Sequence, residues 1–379
     1  MTGLVQSIIT IVLFILILGA LVVIHELGHF VTARLANVRV LEFGIGFPPR
    51  ITSVMWHGTR YSLNWIPLGG FVRMLGEDGD VEVRRLREKG LTEDEVEHAM
   101  AGAFNRRPIW IRIGVLLAGV AMNFVLAAAL FAVALSLPAL IGHGPLTVID
   151  VQENSPAAGR LEVDDVIVAV DGRTFDRSAD LTEYVRGKAT EVVTLTVLRD
   201  GEEMDVPIIP RSVTDEERAN GIGPVGFSYE PDRLVEEPSS VSGPLDAIGR
   251  GTSAAWSLAI RIPGGLADAV GGLLGLNPNG GDARGPIGIA QETGRVLEAP
   301  LVSQLLFVGV LSVNLAVLNV LPFPPLDGGR IAVVLLESVR RRKLPAEREA
   351  LIYLTGFAVL LALIVLISIQ DIQRLITGA

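Results

Sequence analysis

The chain has 379 residues, half of them hydrophobic, a mean hydropathy of +0.48 and a formal net charge of −10. That composition excludes an ordinary soluble protein and leaves length for one small soluble domain beside several membrane spans. There is no cysteine, which excludes thiolate metal sites, disulfides and cysteine nucleophiles.

Four stretches are predicted to span a bilayer: residues 4–31, 109–141, 301–321 and 350–370. The first has no basic leader and no small-residue cleavage site, so it reads as a retained helix and not a signal peptide. Its apolar run from Ile8 leads straight into Ile24-His25-Glu26-Leu27-Gly28-His29. Residues four apart share a helix face, so His25 and His29 can offer two imidazoles to one metal ion. Glu26 stands beside them, placed to take a proton from an attacking water. A carboxylate at the centre of a membrane helix costs about 2.5–3.5 kcal/mol, which argues that it is kept for a use.

Arginines crowd residues 31–112 and return at Arg340-Arg341-Arg342-Lys343, whereas 143–300 is strongly acidic. Short basic loops stay in the cytoplasm. The expected topology puts the first and third loops inside, both termini and the acidic segment outside, and His25–His29 towards the cytoplasmic side. A lipid bilayer, and no nucleic acid, accounts for the basic clusters.

Residues 38–75 are rich in Gly, Pro and aromatics. Ile51–Trp56 and Arg60–Trp65 read as two strands around the turn His57-Gly58-Thr59. The second alternates Arg60, Ser62 and Asn64 against Tyr61, Leu63 and Trp65. Such a hairpin is either a packing element or a sheet edge that receives an extended substrate at Tyr61, Leu63 and Trp65. In the charged stretch 77–105, Thr92 and Glu95 form a predicted capping box for a helix over 93–102. On the second span, Gly119 permits close helix approach and Asn123 can bond a neighbour, a packing role.

Residues 143–212 read as a compact α+β unit. Strands are expected at Leu146–Val151, Val166–Val170, Val192–Leu198 and Met204–Ile209, with a helix at Ala179–Arg186. Between 213 and 300 glycines and prolines recur, including Gly243-Pro244, Pro263-Gly264-Gly265 and Gly280-Gly281. Leu245–Ile262 and Leu266–Leu276 fit surface-lying helices, with a re-entrant segment as the alternative. The third span carries Ser303, Gln304, Asn314 and Asn319 and then meets Pro322, Pro324 and Pro325. Prolines break helices, and irregular backbone at membrane depth is tolerated only when protein buries it or it lines a cavity. Leu326-Asp327-Gly328-Gly329 follows, and a carboxylate there is a functional candidate.

A catalytic zinc usually has three protein ligands plus water. His57, His98 and His143 are all poorly placed to join His25 and His29, so Asp327 is the best third ligand. Here the chain resembles the site-2 proteases, the intramembrane zinc metalloproteases, and within them the bacterial regulator of sigma-E protease group. His25-Glu26-Leu27-Gly28-His29 is similar to their first motif, and Asn319-Val320-Leu321-Pro322-Phe323-Pro324-Pro325-Leu326-Asp327-Gly328 to their second. The resemblance implies Zn2+ held by His25, His29 and Asp327, Glu26 as catalytic base, and substrate handling by Asn314 and Asn319. It also makes the hairpin a membrane re-entrant β-loop. Ala118-Gly119 and Asn123 resemble a further family motif, with Val120 in place of a proline, and Arg284-Gly285-Pro286-Ile287 resembles the segment before the third span. Residues 143–212 resemble a permuted bacterial PDZ domain through Ser155-Pro156-Ala157-Ala158-Gly159 and Asp164–Gly172.

The expected fold is a polytopic α-helical membrane protein of about four transmembrane helices, with a re-entrant β-hairpin and an inserted α+β PDZ-like domain. Its expected divisions are a first membrane part (1–142), the PDZ-like domain (143–212), a linker with amphipathic surface helices (213–300) and a second membrane part (301–379). The expected function is zinc endopeptidase action on the span of a single-span membrane protein in the bacterial inner membrane. The cut would be the second in regulated intramembrane proteolysis, of an anti-sigma factor or a signal-peptide remnant. The rival readings are an inactive membrane PDZ scaffold and a transporter.

Overall fold

The computed structural model describes residues 2–77, 81–213, 223–273, 285–342 and 344–377. Gly280-Gly281, Arg284 and Lys343, singled out above, lie outside the described residues. The chain divides into two compact units, residues 1–135 with 242–379, and residues 136–241.

The first unit is built on helices. The long ones are α1 (Thr2–Leu35) and α4 (Ile109–Ser136), with α2 (Val81–Glu88) and α3 (Glu93–Ala99) between them. After the second unit come α6 (Pro244–Leu273), α7 (Pro286–Leu297), α8 (Leu301–Val320), α9 (Asp327–Arg340) and α10 (Ala346–Thr377). Among the described residues four of these, α1, α4, α8 and most of α10, are long and apolar enough to cross a membrane. Their surfaces fit that solvent. Ile8, Ile11 and Leu16 on α1 and Leu354, Phe357 and Leu361 on α10 are exposed, a cost in water and none against lipid. The capping box at Thr92 and Glu95 forms as its spacing predicts.

The β element is larger than the hairpin expected from sequence. Strands β1 (Val40–Trp56) and β2 (Thr59–Met74) each double back, so that four arms pair in the order 50–56, 59–64, 40–47 and 70–74. Tyr61 pairs with Val54 on one side and Phe43 on the other. The 60–65 strand is therefore internal, and the expectation that it offers a free edge is corrected. The outer arms are 50–56 and 70–74. The sequence hid this because proline usually ends a strand, while at Pro48-Pro49 and Pro67 the chain bends and pairs again. Buried Glu42 ties the arms through Arg50 at 2.8 Å and Arg73 at 3.3 Å.

Two further differences arise after residue 213. The two expected surface helices are one helix, α6, which continues through Pro263 and packs on its neighbours. Ala255 is fully buried with Ala127, Phe131 and Val313, and a Cβ at Gly251 would meet the α4 backbone at Ala128 and Ala132. Small residues four apart let the backbones close up, a signal masked by the helix's overall polarity. Asp371, just beyond the span expected at 350–370, is buried on α10. Its carboxylate accepts from Gly285 N–H at 3.1 Å and Gly288 N–H at 2.8 Å, capping α7 from another helix.

The second unit is a five-stranded antiparallel sheet in the order β6-β5-β4-β3-β7, with one helix among the described residues. Its elements are β3 (Ala139–Val151), β4 (Val166–Val170), α5 (Ser178–Gly187), β5 (Val193–Arg199), β6 (Glu202–Ile208) and β7 (Phe227–Glu237). Leu146, Val148, Ile167, Val170, Leu195 and Ile208 fill its core, each contributing about 1.5–3 kcal/mol by leaving water. The unit spans 136–241, wider than the predicted 143–212, because β7 pairs with β3 from Ala139 to Val151. Charged Glu230, Asp232, Arg233, Glu236 and Glu237 disguise β7 as linker, since an edge strand needs few apolar side chains.

Candidate metal centre

Three elements converge on one point. The apolar run of α1 carries a helix through to its last turns, where His25 and His29 stand one above the other, both buried. The prolines after α8 end it at Val320, and the chain restarts as a helix with Asp327 as its first residue. Asp327 Oδ2 lies 2.9 Å from His25 Nε2 and 3.2 Å from His29 Nε2, and the two nitrogens are 3.1 Å apart.

That triangle fits a zinc ion. Donors about 2.0–2.1 Å from a tetrahedral centre stand about 3.3 Å from each other. One carboxylate oxygen and two imidazole nitrogens face the same spot, an arrangement suited to a shared cation. The set supplies two nitrogens and one oxygen, the donor number of a catalytic site with one open position.

The third element, α4, closes the back of the site. His29 Nδ1 donates to Val115 O at 2.8 Å, which leaves Nε2 as the free donor atom. Gly119 is the point on α4 that faces the two rings. A Cβ there would come 2.5 Å from His29 Nε2 and 2.8 Å from His25 Cε1, and one on Gly28 would meet Ala118 O at 2.3 Å. Only a glycine pair brings α1 and α4 this close.

Glu26, half-buried, faces the sheet. Its Oε2 accepts the main-chain N–H of Val72 at 3.0 Å. The same arm is tied to α9: Met74 N–H donates to Glu77 at 3.0 Å, and Glu77 pairs with Arg330, three residues after Asp327. The sheet thus braces the carboxylate on α1 and the start of α9 together.

Of the sequence-predicted residues, His25, His29 and Asp327 meet at the centre, with Glu26 adjoining. Asn314 and Asn319 bond back to their own helix, to Val310 O at 3.0 Å and Leu315 O at 2.9 Å. Tyr61 packs on Phe43 and on Phe30 of α1, while Leu63 and Trp65 are exposed. Val115, Val72, Glu77 and Arg330 escape sequence reasoning, while Gly119 is read there only as a point of close helix approach. The one available signal was Gly119 on the second span, four residues before a buried polar Asn123.

Known proteins are similar to this chain along most of its length. The profile of "Peptidase family M50" matches residues 13–363. The regulator of sigma-W protease RasP of Bacillus subtilis is 28% identical over 430 residues, covering 97% of this chain and 99% of the relative. The zinc metalloprotease RasP of Geobacillus kaustophilus is 28% identical, covering 98% and 99%. Among solved structures, the PDZ domain of an SdrC-like protein of Listeria monocytogenes is similar at 21% identity, covering 23% of this chain and 87% of that one, with a TM-score of 0.20. Its Listeria innocua counterpart is 22% identical, covering 25% and 99%, also with a TM-score of 0.20.

Proposed function

The chain belongs to peptidase family M50, and we propose that His25, His29 and Asp327 hold its zinc ion while Glu26 serves as the general base. The protein is an intramembrane zinc metalloprotease. The observation that carries the residue assignment is the convergence of three donor atoms within 3.2 Å of one another, with Glu26 adjoining them.

Bound zinc supplies Lewis acidity, polarising a carbonyl and bringing the pKa of water to about 7. The chain's own groups do the rest. Glu26 takes the proton of the attacking water and delivers it to the leaving amine. Val72 N–H keeps the Glu26 carboxylate turned towards the sheet. Val115 O holds His29 in the tautomer that leaves Nε2 free.

The substrate is the span of a single-span membrane protein. A helical span hides its carbonyls in its own hydrogen bonds, so it must open locally before attack. The sheet is suited to hold the opened chain. Pro67, Gly69 and Gly70 lie against α1 at Gly19, Val22 and Val23, at the level of the apolar run. That position supports a re-entrant β element inside the bilayer. Exposed Leu63 and Trp65 offer it apolar contacts, and Asn314 and Asn319 line the helix leading to Asp327.

The role is the second cut in regulated intramembrane proteolysis, of an anti-sigma factor or a signal-peptide remnant, in the bacterial inner membrane. The basic loops at 31–112 and 340–342 support a cytoplasmic-side zinc, with the termini and the PDZ-like unit outside. The PDZ-like unit selects substrates by excluding bulky outer domains. The intact donor set argues against both a scaffold and a transporter.

The test is cleavage in reconstituted bilayers of a single-span substrate, with the products located by mass spectrometry. A cut within the span that is lost with zinc and restored by it is expected. Cleavage confined to flanking loops would sink the intramembrane assignment.

A further inference from the structure

One buried polar atom near the centre has no partner. Asn123 on α4 is fully buried, its Nδ2 lies 3.4 Å from His25 Nδ1, and its Oδ1 is unbonded. His25 turns Nε2 towards Asp327 and His29. An imidazole that presents a lone pair at Nε2 carries its proton on Nδ1. That proton needs an acceptor, and a buried amide oxygen without a bond costs about 1–3 kcal/mol. The two ends of an amide have nearly the same shape. With the carbonyl turned to the ring, the Nδ1–H and the orphaned oxygen satisfy each other.

We infer that Asn123 is a positioning residue, whose side-chain carbonyl accepts the Nδ1–H of His25 and so fixes the tautomer and ring plane of a zinc ligand. This rests on the reading of His25 as a ligand. Two observations support it independently. Val115, Gly119 and Asn123 recur every four residues and share one face of α4. Val115 O already does for His29 what is assigned here to Asn123 for His25, and Gly119 makes room for both rings. The turn bearing Asn123 is also pinned from outside, since Ser312 Oγ on α8 donates to Asn123 O at 2.8 Å. One face of α4 therefore orients both histidines, at its two ends, around a gap.

The test is zinc affinity, measured on the full chain in detergent by competition with a chelating indicator. Variants are prepared in the Glu26→Gln background, so that turnover plays no part. Asn123→Leu and Asn123→Ala should bind zinc about 10- to 100-fold more weakly, the usual effect of losing such a partner. Asn123→Asp, which keeps an acceptor in place, should bind at least as tightly as the parent. The visible spectrum of the cobalt-substituted protein should change in the Leu and Ala variants and stay unchanged in the Asp variant. Parental affinity and spectrum in Asn123→Ala would overturn the inference. Should Asn123→Leu fail to fold, the Ala and Asp pair still decides. His25→Ala is the separate control: if it keeps zinc at parental affinity, the ligand assignment itself is overturned.

Discussion

The main-chain N–H of Val72 donates to Glu26 Oε2 at 3.0 Å, so the last arm of the sheet holds this carboxylate directly. In a strand that N–H points away from the ladder it would otherwise join, and proline is tolerated at such positions. Val72→Pro should therefore delete this bond while the pairing with Phe43 survives. A hydrogen bond to a charged group contributes about 1.5–3 kcal/mol, so kcat on a single-span substrate should fall roughly tenfold or more. Zinc content should stay at one per chain. An unchanged kcat would show that Glu26 needs no support from the sheet.

Glu26→Gln should keep zinc and lose cleavage. The amide fills the same space and can still accept from Val72, but it does not take a proton from water. Zinc and turnover are measured on the same preparation. Substantial turnover would remove Glu26 as the base.

Asp327→Ala should lose most of the metal. The carboxylate oxygen stands 2.9 and 3.2 Å from the two histidine nitrogens, and two nitrogens alone make a weak site. Metal analysis after dialysis against a mild chelator reads the outcome. Full occupancy would exclude Asp327 as a ligand.

Gly119→Ala tests the geometry behind the ligands. The added methyl would stand 2.5 Å from His29 Nε2, and overpacking of this kind costs about 1–3 kcal/mol. Zinc affinity and activity should both fall while helix content by circular dichroism is kept. Parental affinity would mean that α1 and α4 can separate freely.

In the second unit, Asp165 is buried and takes two 2.7 Å bonds from Arg199, at Nε and Nη2. Burial pushes its carboxyl up, but the Arg199 bonds and the Glu162 N–H outweigh that and hold it below the usual range. A depressed carboxyl stabilises the fold above its unfolded value, about 3.9, and that stability is lost as pH falls through the folded value. The protection of amides in β4 and β5, taken relative to their intrinsic exchange at each pH, should fall below about pH 4, and Asp165→Asn should flatten that dependence. Equal pH dependence in both proteins would dismiss the pair.

The histidine pair was legible because His25 and His29 lie on one helix, where spacing alone sets geometry. The capping box, the four spans and strands β3 to β6 were legible for the same reason, since local periodicity governs them. The arms of the sheet were not: prolines that usually end strands here mark bends, and long-range register decides which arm is an edge. Strand β7 was hidden by its charges, and α6 by its polarity.

By itself the sequence determined which residues are candidates for the chemistry, because helix period and residue type fix the His25–His29 face and mark Asp327 as an exceptional carboxylate. Only the tertiary structure decided how Asp327 reaches that face across 302 positions of chain, and that Val72 holds Glu26. It alone set Val115, Gly119 and Asn123 behind the two rings. Those relations join separate elements, and the close packing that creates them leaves no periodic trace along the chain.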